Sequence, residues 1–123
     1  MIHVVDDDFD VLKSLCFLFE TEGFNVRTFC SGAALLSSDA QNDADCFVID
    51  YKMPDIDGIE LTRKLRELDV DIPVVLFTGY PDRSFSAKAA SVGVRHILFK
   101  PHLGEKLISH VRAAIRRNDF GRQ

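Results

Sequence analysis

Residues 46–68 read CFVIDYKMPDIDGIELTRKLREL. Cys46–Ile49 is an unbroken apolar run, short and rich in β-branched residues, as a strand covered on both faces requires. After Asp57-Gly58 the period changes. Asp57-Gly58 precedes a helix predicted from Ile59 to about Leu68, with Asp57 as its cap. A buried strand feeding a helix is one βα unit.

The same alternation extends in both directions. Ile2–Val5 is a strand and Phe9–Glu22 a helix stopped by Gly23, with Phe9, Leu12, Cys16 and Phe19 on its apolar side and Leu15 alongside. Phe24–Phe29 reads as a strand, and Ser31 caps a short helix to about Ser37. Pro73–Phe77 is a strand, Asp82–Val92 a helix ended by Gly93, and Val94–Phe99 a strand. Leu103–Arg117 is an amphipathic helix with Leu103, Leu107, Ile108, Val111, Ala114 and Ile115 on one side. Five βα units predict an α/β fold, a five-stranded parallel sheet with helices on both faces. They are too few for an eight-stranded barrel, and an open doubly wound sheet of order 2-1-3-4-5 is the natural solution.

The chain of 123 residues is 46% apolar and 28% charged, which suits one domain spanning residues 1–123 with a buried core. Its net charge of −4 argues against direct nucleic-acid binding as the main activity. The arginines from Arg112 to Arg122 are expected to be a solvated helix end. No apolar run reaches the roughly 18 residues of a membrane span, and MIHVVDDD lacks the basic start of a secretory signal. Cys16, Cys30 and Cys46 have no metal-knuckle spacing and are expected to be free thiols packed in the core of a cytoplasmic protein. His3, His96, His102 and His110 have no ligand spacing and read as structural or surface residues.

In an open α/β sheet, ligands bind beyond the carboxyl ends of the strands. There the sequence places Asp6, Asp7 and Asp8 after strand one, Asp50, Tyr51 and Lys52 after strand three, Thr78 and Gly79 after strand four, and Lys100 and Pro101 after strand five. Asp8 reads as the cap of the first helix. With strands one and three adjacent, Asp6, Asp7 and Asp50 converge. Clustered carboxylates favour a hard divalent cation, Mg²⁺ or Mn²⁺. A lysine and a hydroxyl beside it suit a phosphoryl group, and an aspartate can itself be the nucleophile.

At these residues the chain resembles the receiver domain of bacterial two-component response regulators. The resemblance rests on IHVVDDD, FVIDYKMPDIDG, VVLFTGY and LFKP, in that order over essentially the whole sequence. It implies that Asp50 accepts a phosphoryl group from a phosphohistidine on a sensor histidine kinase or histidine phosphotransfer protein. It implies Asp7 and Asp50 as direct Mg²⁺ ligands, Asp6 acting through a water, and the backbone carbonyl of Lys52 as a further ligand. Lys100 would pair with a phosphoryl oxygen, Thr78 would bond another after phosphorylation, and the peptide before Pro101 would be cis. No conventional turnover is implied, only self-phosphorylation and self-dephosphorylation.

Two positions depart from the family pattern. Ile97 stands where a switching Tyr or Phe is usual, and His102 where Phe is frequent. Ile97 is stiff at its first torsion and has no ring to swing, so the switch is expected to run through Thr78 and the loop to Asp82 while Ile97 keeps its rotamer. On the first helix, Phe17 is a large apolar residue on a face with Asp10, Lys13, Ser14 and Thr21. With Val11 and Leu18 beside it, it is expected to form a kinase-docking patch. The downstream target, a separate protein or an effector domain, is left open.

Two other readings compete. Asp6-Asp7-Asp8 contains the Asp-x-Asp of haloacid-dehalogenase-like phosphatases, but those need an acidic pair after the lysine, and only Glu105 and Asp119 follow. A receiver-like module that no longer uses phosphorylation would draw support from Ile97 alone.

Overall fold

The computed structural model describes residues 1–39, 42–79, 84–99 and 104–121, with side chains through 117. In chain order the elements are β1 (Ile2–Val5), α1 (Phe9–Thr21), β2 (Val26–Phe29), α2 (Gly32–Ser37), β3 (Cys46–Asp50), α3 (Gly58–Glu67), β4 (Val74–Thr78), α4 (Phe85–Ser91), β5 (His96–Phe99) and α5 (Gly104–Gly121). The strands form one parallel sheet in the order β2-β1-β3-β4-β5, as the alternation of periods predicts.

Each face of the sheet carries its own apolar layer. Val5, Phe47, Ile49, Val74 and Leu76 point toward α2, α3 and α4, where Leu35, Leu61, Leu65, Phe85 and Ala89 meet them. Ile2, Val4, Val48, Val75 and Phe77 face α1 and α5, against Leu12, Leu15, Phe19, Leu107 and Val111. Alternate residues of the same short strand serve opposite layers, which is why β1, β3 and β4 are buried throughout and mostly apolar.

The helix ends explain where the strands begin. Gly23 (φ 90°) and Gly93 (φ 83°) take the left-handed conformation that closes α1 and α4. Behind each glycine an apolar residue folds back onto its own helix: Phe24 N–H donates to the Phe19 carbonyl and Val94 N–H to that of Ala89, both at 3.0 Å. Phe24 and Val94, expected as strand residues, are therefore helix plugs, and β2 and β5 start two residues later than the apolar pattern predicts. The same motif ends α3, with Asp69 (φ 61°) in the glycine position and Val70 N–H donating to the Leu65 carbonyl at 2.9 Å.

Two further expectations change. Phe9, placed on the apolar side of α1, is 76% exposed, because Leu15 takes the core position beside Leu12 and Phe19. Of the three free cysteines, Cys46 alone is buried; Cys16 is half-buried with its thiol donating to Glu20 at 2.8 Å, and Cys30 is exposed. The α4 start at Asp82 and the α5 start at Leu103 lie outside the described residues.

His3 on β1 is fully buried between the rings of Phe29 and Phe47 at 5.3 and 5.7 Å, and among the described residues neither ring nitrogen has a hydrogen-bond partner. Burial lowers its pKa from the usual histidine value; Arg27 and the N-terminal amine act the same way and Asp43 opposes them. The unfolded chain therefore takes up this proton before the folded one does, and stability is lost as pH falls through the ordinary histidine pKa of about 6.5 toward the folded value. His3→Leu is expected to raise stability by about 1 kcal/mol near neutrality and to flatten its fall between about pH 7 and pH 5. Urea unfolding at several pH values checks this; an unchanged pH slope in the variant would contradict it.

Candidate functional site

Parallel register brings the acids together. Val5 pairs with Ile49 across β1 and β3, so the next residues, Asp6 and Asp50, leave the sheet side by side. Asp50 pairs with Phe77 across β3 and β4, which sets Thr78 one residue further on the neighbouring strand. Asp6 is fully buried, Asp50 is 4% exposed and Thr78 is fully buried, whereas Asp7 is exposed. Carboxylate oxygens of Asp6, Asp7 and Asp50 lie within 4.8 Å of one another. Like charges at about 5 Å repel by roughly 3 kcal/mol at an effective dielectric constant near 20. An all-oxygen set this tight suits a hard cation with several ligands and waters.

Local hydrogen bonds hold the loops that carry these acids. Asp8 N–H donates to Asp6 Oδ1 at 2.8 Å, and Asp8 Oδ1 accepts from the amides of Asp10 and Val11 at 2.9 and 3.4 Å, capping α1 as expected. Asp57 caps α3, accepting from Glu60 N–H at 2.8 Å. The β3–α3 loop is drawn in at Gly58, whose N–H donates to the Tyr51 carbonyl at 2.9 Å. A Cβ at Gly58 would stand 2.6 Å from the Asp50 carbonyl oxygen, so only glycine permits this approach. Lys52 is exposed and its ammonium lies over the Tyr51 ring, 5.1 Å from the centroid. Lys100, Pro101 and His102 lie outside the described residues, as does the loop from 80 to 83.

Two contributors were not singled out in the sequence. Asp55 accepts from Ala33 N–H at 2.9 Å and ties the β3–α3 loop to the start of α2. Burial pushes its pKa up, but the amides of Ala33, Ile56 and Gly32 together hold it below the usual carboxylate value. Its place in the Met-Pro-Asp string was the available signal. The second is aromatic. Tyr51, next to Asp50, stacks on buried Phe85 at 4.6 Å, and Phe85 meets Phe99 at 6.4 Å. Ile97 is half-buried and packs into the α2–α4 layer, so on β5 the ring contact with α4 comes from Phe99, two residues along.

On α1, Phe17 is 74% exposed. Val11 and Leu18 are half-buried and pack against the α1–α5 layer. Phe17 instead shares an open groove of about 430 Å³ with Phe9, Leu12 and Cys16 beside Thr28 of β2.

The chain matches the response regulator receiver domain model over residues 2–112. It is 37% identical to the transcriptional regulatory protein FixJ of Azorhizobium caulinodans, covering 99% of this chain and 58% of that protein. It is 34% identical to the response regulator protein TmoT of Ectopseudomonas mendocina, covering 94% of this chain and 53% of that one. The chain thus spans little more than half of these relatives. A solved receiver domain protein from Clostridium thermocellum superposes with a TM-score of 0.88 at 27% identity, covering 97% of this chain and 96% of that one.

Because a methyl group at Gly58 must displace the Asp50 backbone, Gly58→Ala is expected to destabilise the fold by about 1–3 kcal/mol. Denaturant unfolding measures this; a variant as stable as the native chain would show that the loop has room to yield.

Proposed function

Since the chain belongs to the response-regulator receiver-domain family, we propose that Asp50 is phosphorylated by a phosphohistidine of a sensor histidine kinase or histidine phosphotransfer protein in the cytoplasm. The observation that carries this reading is the meeting of three carboxylates at one sheet edge with a buried threonine on the adjacent strand end. An Asp50 oxygen forms the new bond to phosphorus as the phosphorus–nitrogen bond of the donor breaks, and the electron pair leaves with the imidazole. Burial of Asp50 at the end of β3 fixes the attacking oxygen. Asp7 and Asp50 would hold Mg²⁺ or Mn²⁺ directly, Asp6 through a water, and the Lys52 carbonyl would complete the protein's share. Bound there, the cation neutralises phosphoryl charge. The Lys52 side chain, lying over Tyr51, is not needed for that role. Lys100 supplies the opposing positive charge. The domain resolves its own aspartyl phosphate by hydrolysis and passes the signal to a downstream protein or an effector domain.

The switch begins at Thr78. Its hydroxyl donates to a phosphoryl oxygen, a charge-assisted bond worth about 1.5–3 kcal/mol. Ile97 keeps its rotamer, and the movement passes through the loop after Thr78 and through α4, where Phe85 links Tyr51 to Phe99. Kinase docking uses the exposed side of α1, which starts beside the acids. Phe17 supplies the main contact, with Val11 and Leu18 as partly buried flanks and Phe9 extending the apolar surface.

Two outcomes test this reading. Acetyl phosphate with Mg²⁺ is expected to label the native chain and to leave Asp50→Asn unlabelled by intact mass; labelling that persists in the variant would move the acceptor elsewhere. Phe17→Ser is expected to slow transfer from the cognate kinase about tenfold or more, as for an interface anchor, while acetyl phosphate labelling keeps its rate. Equal slowing of both reactions would mean damage to the fold instead.

A further inference from the structure

At the edge of the sheet opposite the carboxylates, the starts of β4 and β5 meet the last turn of α3 and the second half of α5. A cavity of about 250 Å³ opens between them. Among the described residues, Arg66 of α3, Arg95 just before β5, His96 on β5 and Arg117 of α5 line it, with Asp71 as the one acid. The described lining residues thus include three arginines and one aspartate, in a chain whose net charge is −4. Among the described residues neither Arg95 nor Arg117 makes an ion pair. Arg66 is held in place, its Nη1 donating to the carbonyls of Val70 and Ile72, both at 2.8 Å. That bond pair uses one nitrogen of a group that carries five N–H donors.

His96 is positioned from the other side. Its Nδ1 lies 2.9 Å from Nδ1 of His110 on α5, with the rings nearly perpendicular, so one nitrogen donates and the other accepts. Unbalanced positive charge around a small recess is unfavourable until an anion enters, and the planar guanidinium fork matches phosphate oxygens two at a time.

We propose that this cavity binds a small phosphate-bearing dianion, gripped by Arg66, Arg95 and Arg117 with His96 as an additional donor. Its volume lies just below the usual range for ligand pockets, about 300–1,000 Å³, which suits a phosphate group with a small body. A long polyanion is disfavoured by the net negative charge of the chain. Such a ligand would bridge α3, β5 and α5, far from Asp50, and so bias the β5–α5 side independently of phosphorylation.

Binding is also linked to protons. Burial, then His110, Arg117 and Arg95, lower the pKa of His96. The groups around it are His110 and Arg117 from α5, Arg95 next to it in sequence, Arg66 from α3 and Asp71 before β4. A bound dianion favours the imidazolium, so binding takes up a proton and tightens as pH falls.

The test is an amide NMR titration of the full chain without Mg²⁺, using sodium sulfate at ionic strength held constant with sodium chloride. Sulfate keeps its charge across the pH range, and inorganic phosphate serves as the second probe. Saturable shifts are expected at Gly93, Arg95, His96 and Arg117, with tighter sulfate binding near pH 6 than near pH 8. The Arg95→Gln/Arg117→Gln double variant is expected to bind about tenfold more weakly. Should that variant unfold, Arg117→Gln alone, at an exposed site on α5, is expected to weaken binding in the same direction. Non-saturating shifts spread over all arginines, or equal affinity in the variants, would overturn the site. A short single-stranded oligonucleotide binding more than about tenfold tighter than either probe at these residues would overturn the small-ligand assignment in favour of a nucleic-acid surface.

Discussion

Repulsion among three carboxylates is the constraint around which this structure is arranged. Asp6 and Asp50 leave adjacent parallel strands in the same register, and Asp7 follows at once, so their oxygens stand within 4.8 Å of one another. Nothing in strand pairing relieves that repulsion; a parallel sheet only guarantees it, by delivering equivalent positions of neighbouring strands to one edge. The rest of the upper edge answers to it. Asp8 and Asp57 cap the helices that follow, fixing where each loop ends. Gly58 lets the β3–α3 loop lie against the Asp50 carbonyl, and Asp55 ties that loop to α2. The cluster is thus set by backbone geometry.

Acids gather where the strands finish, and arginines gather where β4 and β5 begin. The apolar layers between them are nearly continuous from one edge to the other, so each end has rigid strands for support. Tyr51, Phe85 and Phe99 form a line of ring contacts from the residue after Asp50 across α4 to the end of β5. Ile97 sits in that layer without belonging to the line, which gives a physical reason why an aliphatic residue is tolerated there.

Much of this was legible in the sequence. The change from apolar run to helical spacing after Asp57-Gly58, repeated five times, was enough for sheet order and for the convergence of Asp6, Asp7 and Asp50, because parallel βα units leave few topologies. Caps were legible at Asp8, Ser31 and Asp57, where short polar side chains precede helical periods. What was not legible depended on contacts between distant residues or on rotation of a helix. Phe24 and Val94 look like strand residues, since composition does not distinguish an apolar helix plug from a strand start. Phe9 fits the apolar period of α1, yet a rotation that favours Leu15 turns it to solvent. The His96–His110 contact joins residues far apart in sequence, with no spacing to announce it.

The central claim, that the carboxylate cluster is held together against its own repulsion, is tested most directly by thermal unfolding without divalent cations. Asp50→Asn removes one of the three charges with little change of shape. The account predicts that this variant melts at a higher temperature than the native chain when divalent cations are chelated. A melting temperature equal to or below that of the native chain would contradict it.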